Sequence, residues 1–245
     1  MKFVKNILGR VFAFWAMIVF VITMLVAFIP IALAGLWPEP KQTGIFKVTS
    51  IIWMRVFFFL VGIRFTRKGK NNLARDVNYI VVCNHNSLMD VPISTPFIPG
   101  RPNKSIAKIE MSRIPVFGLI YKRGAVLVDR KNEESRKASY GKMKQVLELG
   151  MHMCVYPEGT RNKTNEPLQP FHSGAFRLAA DTGKPIIPSL IFNTGKVLPR
   201  KTFFFWPYHV EMHFLPPVDI GTKTMEQFKE EIFKLMKDYY VQHNH

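Results

Sequence analysis

Between Val11 and Trp37 the chain carries no charged residue. A helix over that stretch, rising about 1.5 Å per residue, is long enough to cross a hydrocarbon layer of about 30 Å. No polar stripe marks a water-facing side, so lipid is the solvent this segment fits. Pro30 and Gly35 interrupt its far end, and Lys2, Lys5 and Arg10 precede it. Ala32-Leu33-Ala34 offers an A-x-A cleavage site, but the apolar run exceeds that of a secretory signal and no extracellular cysteine pattern follows, so the segment reads as retained. A polar link, Glu39 to Gln42, leads to a second apolar segment, Ile45–Ile63, interrupted by Lys47 and Arg55 and closed by Arg64, Arg67, Lys68 and Lys70. Its uncharged core is short for a span. Basic residues at both outer ends put both ends on the cytoplasmic side. The pair reads as two spans or, in preference, as a hydrophobic helical hairpin dipping into one leaflet with Arg55 facing the headgroups. This divides the chain into a membrane anchor over residues 1–70 and a single larger domain over 71–245.

The chain has 34 Lys and Arg against 17 Asp and Glu, a net charge of +17, beside a hydrophobic fraction of 48% and 21 Phe. Such charge calls for an anionic partner. With so much apolar content that partner reads as an anionic membrane surface rather than nucleic acid, for which no recognisable module is present. The two cysteines, Cys83 and Cys154, each fall inside an expected buried strand and read as reduced packing residues.

From Asn78 onward strands and helices alternate. Strands are expected over Asn78–Cys83, Ser105–Lys108, Ala125–Asp129, Met153–Tyr156, Pro185–Phe192 and His209–Leu215. Helices are expected over Asp90–Phe97, Ser112–Tyr121, Glu133–Leu149, Phe171–Thr182 and Thr224–Val241, the last opening with a capping-box pattern, Thr224-x-x-Gln227. Alternation of this kind implies an α/β fold, a mixed and largely parallel sheet flanked by helices. In such a sheet the turns at the strand ends converge on one cleft.

Two of those turns carry chemistry. In Tyr79–Pro92, YIVVCNHNSLMDVP, a buried strand breaks at Asn84-His85-Asn86-Ser87, and Asp90 stands five residues after His85. On a continuous helix the two would diverge, so pairing needs the turn that Asn-Ser supplies. A carboxylate beside a histidine fixes its tautomer and raises its basicity, leaving the other ring nitrogen to accept a proton from a hydroxyl. In Cys154–Arg161 a second strand breaks at Glu158-Gly159-Thr160-Arg161. Gly159 lets backbone approach a ligand, Thr160 donates a hydroxyl, and Arg161 offers the fork that fits phosphate. Glu158 either binds a substrate hydroxyl or braces Arg161.

Together, N-H-x4-D and E-G-T-R, with Gly124–Arg130 and Ile186–Ser189 ahead of Gly195, resemble the glycerophospholipid acyltransferase family, most nearly its bacterial 1-acyl-glycerol-3-phosphate members. The resemblance spans about Asn78 to Gly195 and a hydrophobic N-terminus of the expected kind. It implies direct transfer of a fatty acyl group from a thioester, acyl-CoA or acyl carrier protein, to the free 2-hydroxyl of 1-acyl-sn-glycerol-3-phosphate, giving phosphatidic acid. His85 and Asp90 are then catalytic. Substrate binding falls to Glu158, Gly159, Thr160 and Arg161, with Lys108 and Arg130 at strand ends. Ser87 reads as a turn-former, no metal is implied, and no cofactor is needed beyond the thioester co-substrate. The expected seat is the cytoplasmic face of the inner (plasma) membrane. Another lyso-lipid, such as a lyso-aminolipid, stays open as acceptor, and a non-catalytic membrane-surface protein is the remaining alternative. Phe171-His172-Ser173-Gly174 departs from the family's F-K-x-G, leaving the anion-binding share of His172 dependent on its protonation. His209, Glu211 and His213 share one strand face without a further ligand set for a metal. Lys196–Pro207, KVLPRKTFFFWP, suits either a membrane-touching loop or a packed edge.

Overall fold

The computed structural model describes residues 2–243; Met1, in the basic segment ahead of the apolar run, lies outside them. Helix α1 (Lys2–Leu33) and helix α2 (Lys41–Leu60) form the expected hairpin. They run antiparallel, joined by Trp53 Nε1–H donating to Thr23 Oγ1 at 3.0 Å and Trp15 Nε1–H to the Leu60 carbonyl at 3.2 Å. The inward face of α1 carries Ala13, Ala16, Val19, Ala27 and Ile31, all buried. Small residues there let the backbones approach closely. The outward face carries Val11, Ile18, Ile22, Val26, Ile29 and Leu33, each half or more exposed. Both helices are long and apolar enough to cross a membrane. An exposed apolar surface this continuous marks a membrane-associated protein.

The sheet has seven strands: β1 (Arg64–Lys68), β2 (Ile80–Cys83), β3 (Asn103–Lys108), β4 (Ala125–Val128), β5 (His152–Val155), β6 (Ile186–Phe192) and β7 (His209–Phe214). Their order is β1-β7-β6-β2-β5-β3-β4. Every pairing is parallel except β6 with β7, so the sheet is mixed and largely parallel as expected. Strand β1 is an addition. Arg64, Arg67 and Lys68 read as the basic flank of the hairpin, yet they pair in register with His209 to His213. The division at residue 70 therefore leaves one strand of the sheet on the hairpin's side. The pattern of β1 is exposed-intermediate, without the apolar run that announces a strand, and only its partner β7 defines it.

Helices α3 (Asp90–Ser94), α4 (Phe117–Gly124), α5 (Glu133–Glu148), α6 (Gly174–Thr182), α7 (Thr194–Val197) and α8 (Met225–His243) complete the fold. The box opening α8 closes reciprocally: Gln227 Oε1 accepts from the Thr224 amide and Thr224 Oγ1 from the Gln227 amide. Period-two alternation splits the core. Ile80 and Val82 join Met153, Val155 and Leu190 beneath α5, α6 and α8. Val81 and Cys83 face the other way, with Cys154, Ile187, Ile191 and the hairpin residues Trp53, Met54, Phe57 and Phe58. The hairpin is thus the second helical layer of the sheet rather than an appendage. Full burial of a side chain such as Phe57 contributes about 1.5–3 kcal/mol. Lys47, a charge in an apolar segment, donates from Nζ to the carbonyls of Ile98, Gly100 and Arg101 and so clamps α2 to the domain. Both cysteines are free and buried.

Candidate active site

Strands β6, β2, β5, β3 and β4 are mutually parallel, so the turns at their C-terminal ends emerge along one edge. At the end of β2 the ladder passes to a side chain. Buried Asn84 donates from Nδ2 to the Ile191 carbonyl at 3.0 Å and accepts at Oδ1 from the Ile191 amide at 2.7 Å, fixing where the turn starts. The chain then folds around Asp90, which is fully buried. One oxygen, Oδ2, accepts from His85 Nδ1 at 2.7 Å, from the Asn86 amide at 2.6 Å and from the Ser87 amide at 2.7 Å. A carboxylate so placed requires Nδ1 to carry the proton, which leaves Nε2 of His85 as an acceptor. Ser87 donates its hydroxyl to the Leu198 carbonyl at 2.9 Å and accepts from the Met89 amide, a turn-forming role.

Two residues outside the N-H-x4-D and E-G-T-R motifs, Tyr156 and Ser94, help hold the imidazole. Tyr156 packs on the His85 ring, tilted by 37° with centroids 4.6 Å apart, and its hydroxyl meets that of Ser94 at 2.5 Å. Burial pushes the Tyr156 phenol up, so it stays protonated. Glu158 lies beneath the turn. Its Oε1 accepts from the His85 amide at 2.7 Å and its Oε2 from the Gln169 amide at 3.0 Å. Burial pushes the Glu158 carboxyl up, and those two amides pull against it. Of the two roles expected of Glu158, this placement supports bracing, here of the His85 turn: each oxygen accepts a backbone amide, and the residue is buried outside the cleft wall. A strand-end glutamate could not be told from a ligand-facing one without the partner turn.

The cleft, of about 380 Å³, is lined by His85, Lys108, Arg130, Tyr156, Gly159, Thr160 and Arg161, which brings together all the other expected binding residues. Gly159 has φ +69°, and an added Cβ would stand 2.7 Å from His172 Cδ2, so both backbone and packing call for glycine. Arg130 Nη1–H donates to the Gly159 carbonyl, which draws the end of β4 onto this turn. Asp129 accepts at Oδ1 from the Lys131 amide, a local turn bond. His172 packs against Gly159 rather than facing the cleft. Two further cations, Lys163 and Arg200, line the same cleft and were not singled out from sequence; Arg200 sits too far along the chain from either motif to be read as a partner. Leu88, Val91, Ile106, Met111 and Tyr121 give the remaining wall an apolar character.

The His-x-Glu-x-His strand is structural. Glu211 pairs with Lys68 at 2.8 Å and accepts from His213 Nε2 at 2.8 Å, and Lys68 with His213 holds its carboxyl down at about 2. The aromatic loop packs as well as touching the outer surface: Phe205 is buried and its amide donates to the Gly9 carbonyl at 3.0 Å, while half-exposed Phe203 sets its ring 4.7 Å from that of Phe14.

A membrane-associated α/β fold with a histidine–carboxylate pair over a cationic and apolar cleft defines an enzyme that handles amphiphilic anions. The chain belongs to the Acyltransferase family, whose model matches residues 64–191. It is similar to the 1-acyl-sn-glycerol-3-phosphate acyltransferase of Borreliella burgdorferi, 28% identical over 78% of each chain, and to that of Helicobacter pylori, 27% identical over 77% of this chain and 78% of the other. The human 1-acyl-sn-glycerol-3-phosphate acyltransferase alpha is 32% identical over 65% of this chain and 56% of its own. The crystal structure of the 1-acyl-sn-glycerophosphate (LPA) acyltransferase PlsC from Thermotoga maritima shares the fold, with a TM-score of 0.79 at 22% identity over 99% of this chain and 97% of that one.

Proposed function

We propose that the protein transfers a fatty acyl group from a thioester, acyl-CoA or acyl carrier protein, to the 2-hydroxyl of 1-acyl-sn-glycerol-3-phosphate, giving phosphatidic acid at the cytoplasmic surface of the membrane. The observation that carries this reading is the His85–Asp90 pair at 2.7 Å beside the Arg161 turn in one cleft. Nε2 of His85 takes the hydroxyl proton as the oxygen attacks the thioester carbonyl. The new ester C–O bond forms, the C–S bond breaks, and the imidazolium returns the proton to the departing thiolate. Asp90 orients the ring and offsets its positive charge while the proton is held. Arg161, with Lys108 and Arg130, takes the acceptor's phosphate, and the Gly159 and Thr160 turn lets the headgroup approach. The apolar wall suits a lipid tail beside the reacting atoms. The relatives' names support the acceptor.

Acyl transfer from a labelled palmitoyl thioester to lysophosphatidic acid in vesicles tests this. The wild type is expected to form phosphatidic acid, and His85→Ala to lose on the order of a hundredfold or more in kcat. Equal rates in the two proteins would sink the mechanism, and activity only on another lyso-lipid would overturn the acceptor.

A further inference from the structure

The cations of the cleft stand on two sides of the base. Along the shared edge the order is β6, β2, β5, β3, β4, a width of about 19 Å at about 4.8 Å per strand. His85 follows β2. On one side lie Arg161, after β5, and Arg130, drawn to the same turn by its bond to the Gly159 carbonyl. On the other side lies Arg200, on the chain leaving β6 through α7. Leu198, two residues before it, accepts from Ser87 in the His85 turn, and the Phe203–Trp206 segment after it is docked on α1. Arg200 is therefore held at the cleft from both flanks. Among the described residues no hydrogen bond or ion pair occupies the guanidinium of Arg161 or Arg200, and no carboxylate lines this cleft.

The chemistry of the two substrates divides these groups. In the acceptor the attacking hydroxyl oxygen and the phosphorus are separated only by the O–C2, C2–C3, C3–O and O–P bonds, so hydroxyl and phosphate lie on one side of His85. A cation across the base from Arg161 and Arg130 is then left over for a different anion. The thioester donor carries its own phosphate at the far end of a flexible pantetheine arm. We propose that Arg200 forms a second anion subsite that binds the phosphate of the donor's phosphopantetheine arm, the group common to coenzyme A and acyl carrier protein. The inference rests on the acceptor role given to Arg161 above. Both substrates then lie in the cleft together, which direct transfer without a covalent acyl-enzyme demands.

Binding of coenzyme A, phosphopantetheine and pantetheine to the full-length protein in detergent, wild type against Arg200→Gln, tests the subsite without any turnover. Arg200→Gln is expected to weaken coenzyme A and phosphopantetheine by roughly tenfold, about 1.4 kcal/mol, and to leave pantetheine unchanged, with Arg200→Lys between. In kinetics it should raise KM for the palmitoyl thioester by a similar factor and leave KM for lysophosphatidic acid alone, while Arg161→Gln does the reverse. Equal binding by wild type and variant overturns the assignment, as do an equal loss for pantetheine, a loss confined to coenzyme A, or a wild type that binds neither phosphorylated ligand. If no lyso-lipid is acylated but the phosphate-dependent contrast persists, the acceptor reading fails and the donor subsite stands.

Discussion

The turn after β2 and the turn after β5 begin alike and end as opposites. Each follows four wholly buried strand residues on adjacent parallel strands. The β2 turn then folds its charge inward: Asp90 is fully buried and three donors converge on one of its oxygens. The β5 turn sends its guanidinium outward into the cleft and keeps only Glu158 beneath. A proton acceptor works through position, so its partners are buried and fixed. An anion-binding group works through charge that must meet a ligand, so it is left unpaired until the ligand arrives.

That contrast breaks most sharply at Asp90. Asp90→Asn removes the negative charge and the preference for the Nδ1–H tautomer. We expect kcat to fall on the order of a hundredfold or more with KM for both substrates nearly unchanged, measured as initial rates over a matrix of donor and acceptor concentrations. A loss expressed in KM would erase the distinction between the turns. Arg161→Gln tests the opposite half. It should raise KM for lysophosphatidic acid by roughly tenfold, a charge-assisted contact of about 1.5 kcal/mol or more, with a smaller change in kcat. An effect on kcat alone would make Arg161 part of the positioning machinery.

Glu158→Gln gives the smallest effect and joins the two turns. Gln keeps one acceptor oxygen where Glu158 offers two, so about 0.5–1.5 kcal/mol of stability is lost, together with a few-fold of kcat as the His85 amide loosens. Because burial raises the Glu158 carboxyl, the folded chain holds this proton more tightly than the unfolded chain. The wild type accordingly loses stability as pH rises from the ordinary carboxylate range through the folded value. The melting-temperature advantage of wild type over Glu158→Gln should be largest at the acid end of that window and shrink toward neutrality. An advantage that grows with pH would show that the amides, not burial, govern Glu158.

What the sequence determined by itself is local. Val11–Trp37 had to be a long apolar helix, because a charge-free stretch of that length leaves no other solvent but lipid or core. The strand preceding Asn84 and the strand preceding Pro157 were legible from unbroken apolar runs, and the His85–Asp90 pairing from a turn that a helix would have forbidden. Tertiary structure alone decided three things. Strand β1 exists because β7 offers it a ladder, not because Arg64–Lys68 resemble a strand. The hairpin became a layer of the core because α2 presents Trp53, Met54, Phe57 and Phe58 to a sheet face that would otherwise stay uncovered. Glu158 serves backbone amides, Tyr156 packs on the imidazole and Arg200 enters the cleft through contacts between residues about 70 to 110 positions apart in the chain. Spacing along a chain reports which residues share a turn or a face; the partner across a sheet edge is set by topology, which no linear pattern contains.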